Sequence, residues 1–550
     1  MMGNIGTVQL MIYTSPYPPL DPLSRENVVA QYLAHTRSLP EMNSMIDVLT
    51  GKTLTNKQIE DAIGKYAHVL ANKHSVAKND VVMLSTLNSI HLQAVHLAAI
   101  SQGAIISPSN ISYTADELAY QIGAVKPKLL IVSDFNYELV QQALAIAKHT
   151  CPVEKLSQVG DLIDSLIADK SAPKKAPVEV DSFEQHAYYC FSSGTSGLPK
   201  GVITAQINIF ANALQLAKAE SPVLALSKTA AASLPMSHIY GLNVFIWSMP
   251  LFQKSVIVFP KFDFQMVMEG IIKYNVDVLC AVPPIVVGMT KSPALEPIVG
   301  QLCARLKFVL SGAAPLSAEV AELFSKRFPG VTLIQGYGMT ETSAVSHNTG
   351  ISMVDKYNIA SVGWPISSTE MRLVDPETGK DVPPGVRGEV WVRGPQIMKG
   401  YLNNKAATDE CLVEGGWLRT GDIAVADETS QTFVVDRLKE LIKSKGHQVA
   451  PAELEGLLLK NPNVVDVAVI GVSDKDLTTE RPRAYVVLTQ GTDPLDVVKW
   501  FNKQVSPHKR LWGGLVTVSE IIKNPSGKIL RKAYRGRTDT QVYGENLAKL

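Results

Sequence analysis

Val81-Val82-Met83-Leu84, a helix-patterned stretch from Ile90 to Ser101 and the apolar run Ala104-Ile105-Ile106 follow one another in the chain, and Leu129-Leu130-Ile131-Val132 continues the series. Short apolar blocks alternating with longer helical patterns predict parallel strands buried under helices on both faces. The texture returns at Ala230-Ala231-Ala232-Ser233-Leu234, with helical residues to Phe252, then Val256-Ile257-Val258-Phe259, a helix from Phe264 to Tyr274 and a strand from Val276 to Ala281. The expected fold class is therefore α/β, with two lobes of similar design and no sequence repeat at a fixed period.

Further along, Met371-Arg372-Leu373-Val374 and Glu389-Val390-Trp391-Val392-Arg393 are short β-like segments between Gly and Pro turns, which predicts a small β-barrel-like unit starting near residue 350. After Asp436-Arg437 comes an α+β segment with a Pro451-led helix through Leu459, strands at Val465 to Ile470 and Arg483 to Leu488, and a helix near Val497 to Phe501. Pro suits the first helical turn, where its missing N–H has no partner to lose. The expected division is a large region over 1–436 and a small, independent α+β domain over 437–550.

A chain of 550 residues, at ~150 per domain, has room for three or four units and a large core. Hydrophobic residues at 46% and charged residues at 19% describe a soluble globular protein. Lys+Arg total 52 against 51 Asp+Glu, and this balance removes the case for a nucleic-acid partner, which needs a basic surplus. Cys151, Cys190, Cys280, Cys303 and Cys411 are odd in number, scattered and without C-x-x-C, so neither disulfides nor a thiolate metal site is indicated. The longest apolar segment, Leu242 to Phe252, is shorter than the ~18 residues of a membrane span, and the chain reads as soluble and intracellular. Ala548-Lys549-Leu550 is a near match to the S-K-L peroxisomal address; the alternative is an exposed amphiphilic tail in a cytoplasmic protein.

Chemistry concentrates in a few clusters. Phe191-Ser192-Ser193-Gly194-Thr195-Ser196-Gly197-Leu198-Pro199-Lys200-Gly201 crowds hydroxyls and glycines before a lysine, the composition of a phosphate-holding loop, although it lacks the Walker pattern and alone is also a flexible surface loop. Gln335-Gly336-Tyr337-Gly338-Met339-Thr340-Glu341 follows the apolar run Val331 to Ile334 and should emerge from a strand end, where open α/β sheets place ligands. There Tyr337 can stack on a planar base or simply pack, Thr340 can donate to phosphate, and Glu341 can hold Mg²⁺. Leu234-Pro235-Met236-Ser237-His238-Ile239-Tyr240-Gly241 carries a lone His, by itself a core histidine. Gly416-Trp417-Leu418-Arg419-Thr420-Gly421-Asp422 and the basic run Asp436 to Gly446 offer a carboxylate and an Arg for two ribose hydroxyls, or a solvated face. Asn524-Pro525-Ser526-Gly527-Lys528 places a lysine on a turn.

Taken in order, with V-P-P-I-V from Val282 and S-G-A-A-P-L from Ser311 between them and N-P-S-G-K-I-L-R-K from Asn524 at the end, these segments resemble the adenylate-forming superfamily over about Val81 to Lys532. That superfamily includes acyl- and aryl-CoA ligases and firefly luciferases, and the sequence is most similar to its 4-coumarate:CoA ligase-like branch. The resemblance implies Mg-ATP-dependent activation of a carboxylate as acyl-adenylate, release of pyrophosphate and transfer to coenzyme A. It implies that Ser192, Ser193, Gly194, Thr195, Ser196, Gly197 and Lys200 hold the β- and γ-phosphates, that Thr340 contacts the α-phosphate and that Glu341 binds Mg²⁺. Tyr337 is implied to lie against adenine with Gln335 and Gly336 nearby, Asp422 and Arg437 to hold ribose, and Lys528 to be the catalytic lysine. The C-terminal domain is implied to pivot at Lys439, so that Lys443, Ser444, Lys445, Gly446 and Gln448 replace Lys528 and shape the thiol channel. The acyl pocket implied by the resemblance comprises His238, Tyr240, Val244, Ser311, Gly312, Ala313, Gly336, Gly338 and Val345.

Departures from the branch narrow the acid. Leu310 stands where plant hydroxycinnamate enzymes tend to carry a basic residue, and an apolar side chain there cannot satisfy a buried phenol. Ala344 replaces a common proline, and Gln206 a histidine. The expected substrate is a medium-chain fatty acid or an unhydroxylated aryl acid of the cinnamate or phenylacetate type. Only Ala533 to Leu550 follow the last motif, too few residues for a tethered carrier domain, which favours free coenzyme A. The remaining partners expected are the acid, ATP and a peroxisomal import receptor. A luciferase-like oxygenase and a non-catalytic nucleotide-binding relative are the alternatives.

Overall fold

The computed structural model describes residues 11–192, 198–219, 227–444, 447–474, 479–524, 527–535, 537 and 541–545. The first lobe is built on a seven-stranded sheet in which Ile105–Pro108, Val81–Ser85, Leu129–Val132 and the edge strand Val153–Lys155 are parallel. His186–Ser192 joins parallel to Ile105–Pro108, and Lys200–Ala205 returns antiparallel to it, pairing Ser192 with Lys200. The apolar blocks are buried on both faces, the condition under which strands read as unbroken runs. The helix Leu92–Ser101 covers this sheet with every residue buried.

A second seven-stranded sheet runs Thr332–Gln335, Phe308–Ser311, Val278–Ala281, Thr229–Ala232, Ser255–Val258, Asn43–Asp47, Thr53–Thr55, parallel except for the last pair. The two sheets share one core cluster that includes Val82, Ile106, Val256 and Leu333, so the lobes are fused across helices rather than merely linked. The helical stretch before Phe252 is mostly a π-helix, Leu242–Ser248, entirely buried.

The β unit is a six-stranded sheet in which Tyr13–Thr14, Glu370–Val374, Gly388–Arg393 and Trp417–Ala426 pair in that order. Thr432–Arg437 pairs with Trp417–Ala426 and sets Arg437 opposite Asp422. The C-terminal residues form the hairpin Ile442–Ser444 and His447–Val449, the helix Pro451–Leu459, the long antiparallel pair Val464–Asp474 and Thr479–Leu488, and the helix Pro494–Asn502. Two clusters, one around Leu458, Val469 and Phe501 and one around Tyr485 and Tyr534, give this part its own core. It docks on the second lobe where Gly456 meets Ser317, Lys460 pairs with Glu319 at 2.9 Å and Lys291 Nζ donates to the carbonyls of Leu459 and Val464.

Candidate active site

A cavity of about 1300 Å³ opens at the carboxyl ends of both parallel sheets and is closed by the β unit and the C-terminal residues. Its walls begin where strands stop: Thr86 after Val81–Ser85, Ser233 after Thr229–Ala232, Gly312 after Phe308–Ser311 and Gly336 after Thr332–Gln335.

Ser192 and Lys200 face each other across the base of the hairpin, while Ser193, Gly194, Thr195, Ser196 and Gly197 lie outside the described residues. Glu341, in the 3₁₀ turn Thr340–Thr342, is 6% exposed. Ser192 Oγ donates to its Oε1 at 3.1 Å and Tyr401 OH donates to the same oxygen at 2.8 Å, and among the described residues no hydrogen bond is seen to Oε2. The ammonium of Lys200 sits 4.8 Å above the Tyr401 ring, so one tyrosine touches both an acidic and a basic residue of the cavity. Tyr401 is missing from the sequence reading. The signal that singled out Tyr337, an aromatic beside a glycine, is present at Gly400-Tyr401.

Tyr337 OH donates to Asp422 Oδ2 at 2.7 Å, and Arg437 Nε lies 3.3 Å from Asp422 Oδ1. Burial pulls the Arg437 guanidinium down, but Asp422, Glu440 and Glu341 overrule it and hold it above its ordinary value. Lys528 enters from the C-terminal turn. Gly527 holds φ +76 and rests on Val282, where an added Cβ would sit 2.7 Å from Val282 Cγ2, so the V-P-P-I-V segment is the seat of the lysine turn. Pro525 and Ser526 lie outside the described residues. Burial, and then Arg437, bring the Lys528 ammonium down to about 8. His238 is lowered to about 4 by burial and by Lys528, so it is neutral. Its Nδ1 accepts from the Tyr240 N–H at 3.3 Å, and a neutral ring that accepts there carries its proton on Nε2.

His238, Tyr240, Val244, Ser311, Gly312, Ala313, Gly336, Gly338 and Val345 all line the cavity, joined by Leu310 and Ala344. Tyr240 OH donates to the Leu310 carbonyl at 2.9 Å, so its hydroxyl is engaged within the wall. Thr340 and Lys439 line the cavity too. Gln335 does not: its amide accepts from Leu316 N and donates to Ile359 O, bracing two loops behind the wall. Gln206 is likewise spent on backbone, accepting from Val28 N and donating to Ile100 O. Lys443 and Gln448 pair across their hairpin, both exposed and away from the cavity, and Ser444 is buried beside them. Lys445, Gly446 and Ala548-Lys549-Leu550 lie outside the described residues.

Among the described residues no group of three or more His, Cys, Asp and Glu side chains is placed to hold a metal. A carboxylate in the same cavity as a lysine suits Mg²⁺ arriving on a polyphosphate, because that ion commonly takes one or two carboxylates plus substrate phosphates. No helix among the described residues is long and apolar enough to cross a membrane.

The family profile "AMP-binding enzyme" matches residues 34–402, and "AMP-binding enzyme C-terminal domain" matches residues 453–528. The peroxisomal OPC-8:0-CoA ligase 1 of Arabidopsis thaliana is 38% identical over 497 residues, 89% of each chain. The 4-coumarate–CoA ligase 1 of Petroselinum crispum is 35% identical over 540 residues, 96% of this chain and 95% of that one. Among solved structures, ATP-bound MatB from Rhodopseudomonas palustris gives a TM-score of 0.81 at 26% identity, covering 92% of this chain and 98% of that one. The apo form of the same protein, at 25% identity and the same coverage, gives 0.71. With its profile matched over most of the chain and relatives aligned almost end to end, the chain belongs to the AMP-binding enzyme family of adenylate-forming enzymes.

Proposed function

We propose that this protein uses Mg-ATP to activate a carboxylic acid as acyl-adenylate, releases pyrophosphate and passes the acyl group to coenzyme A. The observation that carries the reading is convergence: Lys528 of the C-terminal turn shares one cavity with Lys200, Thr340 and Glu341 and with the wall from Val244 to Val345. Two anions must meet in the first step, so charge neutralisation and in-line placement matter more than a protein nucleophile. Lys200 and the Ser192 to Gly197 segment hold the β- and γ-phosphates, Thr340 meets the α-phosphate, and Glu341 would hold Mg²⁺, which would neutralise phosphate charge. Tyr337 lies along adenine, and Asp422 with Arg437 receives the ribose hydroxyls. Lys528 bridges carboxylate and α-phosphate as the carboxylate oxygen attacks phosphorus and the bond to the β-phosphate breaks. His238 presents its Nε2–H at the acyl mouth.

The division falls at 436/437 with Lys439 as pivot, and Lys443, Ser444, Lys445, Gly446 and Gln448 move in for thioester formation while Lys528 leaves. The higher similarity to the ATP-bound than to the apo form of MatB supports reading the present arrangement as the adenylating one. In the second step the thiol sulfur attacks the acyl carbon and AMP leaves. Coenzyme A as acceptor is supported by relatives named as CoA ligases along nearly their whole length. The apolar wall with Leu310 supports a medium-chain fatty acid or an aryl acid without a ring hydroxyl at that point. Pyrophosphate release across a panel of acids, with and without coenzyme A, tests the reading; release independent of any acid would overturn it.

The lysine sets a pH limb. Lys528 must be charged, and with its ammonium near 8 the charged form is complete well below that pH and lost as pH rises through it. kcat/KM for adenylation should fall along an alkaline limb centred near pH 8, absent from the Lys528→Arg variant. A limb near the ordinary lysine value of 10.5 would contradict the burial of Lys528.

Tyr401→Phe removes one of two hydroxyls on Glu341 while keeping the ring under Lys200. We expect about a tenfold loss in kcat/KM for Mg-ATP and a raised Mg²⁺ requirement, with the KM of the acid unchanged. An unchanged Mg²⁺ titration would show that Glu341 needs no such brace.

A peroxisomal location is supported by the Arabidopsis relative and by Ala548-Lys549-Leu550. A fluorescent fusion should enter peroxisomes with these residues at its end and remain outside when they are deleted.

A further inference from the structure

We infer that Lys291, on the second lobe, is a positioning residue for adenylation: by capping the last turn of the helix Pro451–Leu459 it fixes the angle at which the C-terminal domain delivers Lys528 to the cavity. The inference rests on the adenylating reading above and adds to it a residue that does not line the cavity. Lys291 ends the helix Pro283–Lys291, whose Ile285, Val286 and Met289 are buried in the core shared by the two lobes. Its backbone is anchored on both sides. Arg327 donates from Nη1 to the Thr290 carbonyl and from Nη2 to the Ser292 carbonyl, each at 2.8 Å. From that seat Lys291 Nζ reaches across to the Leu459 carbonyl at 3.0 Å and to the Val464 carbonyl at 2.7 Å. The last carbonyls of a helix have no partner within it, and the negative end of its dipole favours a cation there.

The other end of the same helix meets the C-terminal domain a second time. Val282 and Pro284 seat the turn that carries Lys528: a Cβ on Gly527 would fall 2.7 Å from Val282 Cγ2 and 3.4 Å from Pro284 Cδ. Pro283 and Lys291 stand about 12 Å apart along the helix, from its rise per residue. A contact at the turn alone would let the C-terminal domain rock about it, and a second contact at that distance removes the rocking. Placement matters because a misplacement of about 1 Å can cost about a hundredfold in rate. The neighbouring ion pair does less: the Lys460 and Glu319 side chains are 43% and 30% exposed, and a solvated pair contributes little. Lys291 instead donates to main-chain oxygens, which cannot swing aside. Burial brings its ammonium down from the ordinary lysine value against the pull of Asp466, and Asp466 is itself paired with Lys523 at 2.6 Å. The two carbonyls therefore meet a desolvated cation, whose hydrogen bonds are the stronger kind.

In the full-length protein Lys291→Met keeps the apolar stem and removes the donors. It should lower kcat for pyrophosphate release about tenfold, leave the KM of ATP and of the acid unchanged, and spare thioester formation from supplied acyl-adenylate. The titration of Lys528, read by pH-dependent labelling with acetic anhydride and mass spectrometry, should move from about 8 toward the ordinary 10.5, because a lysine that spends time outside the cavity is hydrated again. Lys291→Arg should restore both. Arg437, Glu440, Asp422 and Arg531, the other charges facing Lys528, are untouched by these substitutions. Gly456→Ala reaches the interface from the other domain, its Cβ 2.7 Å from Ser317 Cβ, and should reproduce the shift even where Lys291→Met does not fold. A Lys528 titration that stays at about 8 in Lys291→Met and Gly456→Ala, or equal loss in both half-reactions, would overturn the inference. Absence of release by the unmodified protein with every acid would instead overturn the ligase reading, and the labelling, which needs no acid, tells the two failures apart.

Discussion

Lys528→Ala should slow acyl-adenylate formation by about a thousandfold while leaving thioester formation from supplied acyl-adenylate nearly intact, as measured by separate assays of pyrophosphate release and acyl-CoA production. The expectation follows from where charge develops. During adenylation, negative charge moves between carboxylate and α-phosphate oxygens, and the proposed assignment places there the desolvated ammonium that the Gly527 turn brings into the cavity. In water the same charge would be screened; in a site closed by two domains it acts at much lower effective dielectric. Thioester formation needs a neutral thiol or thiolate at the acyl carbon, and in the proposed rotation of the C-terminal domain Lys528 has left the site by that step. Equal loss in both assays would remove the two-state assignment of the lysine. Loss of neither would place the catalytic charge elsewhere, with Lys200 the next candidate.

Gly338→Ala should abolish adenylation of every acid and lower stability by about 3 kcal/mol, measured by thermal or denaturant unfolding. A Cβ at this position would fall 1.7 Å from the Ala344 carbonyl oxygen and 2.8 Å from Val345 Cα, both backbone atoms. That backbone cannot retreat. Val345 is held at N–H and carbonyl by Asn212, and Ser343 and Ala344 already occupy φ 54 and φ 114, where non-glycine residues are rare. Gly336→Ala is the matched control, since its Cβ would meet Leu310 Cδ1 and the His347 carbonyl at an ordinary 3.6 Å. It should fold normally and lose only the bulkier acids. A Gly338→Ala protein with unchanged stability would mean the loop over Ala344 yields more readily than its anchors imply.

The positive φ at Ala344 also bears on a departure noted in the sequence. A proline, fixed near φ −65°, cannot adopt 114°, so the loop of this chain follows a path that the common proline of the branch excludes. This is a local change in the acyl wall that composition could not reveal.

What the sequence made legible divides along physical lines. Strands buried on both faces announce themselves as apolar runs, and Val81–Ser85, Leu129–Val132, Ser255–Val258 and Val278–Ala281 were readable for that reason. Asn43–Asp47 and Thr53–Thr55 were not read: the first joins the second sheet by pairing Met45 with Val256, and nothing local in such short strands records a partner so distant. The π-helical character of Leu242–Ser248 was hidden because a fully buried helix has no polar face whose period could be measured. In the site, Lys528 and Glu341 stand in turns near glycines, Arg437 ends its strand and Asp422 follows Gly421 within its strand, and all were found through those flanking glycines and motifs, whereas Tyr401 sits on a two-residue strand and takes its meaning only from what lies across from it. Gln335 shows the converse, a residue inside a telling motif whose side chain serves the scaffold.

The central claim, that this chain forms an acyl-adenylate and then discharges it to a thiol, is tested most directly by oxygen transfer. A carboxylic acid labelled with oxygen-18 in its carboxylate is incubated with ATP, Mg²⁺ and coenzyme A, and the nucleotide product is examined by mass spectrometry. Attack of a carboxylate oxygen on the α-phosphorus, followed by cleavage of the acyl–oxygen bond by the thiol, must leave one labelled oxygen on AMP, with unlabelled pyrophosphate as the other product. Unlabelled AMP, or ADP with labelled phosphate, would contradict the account.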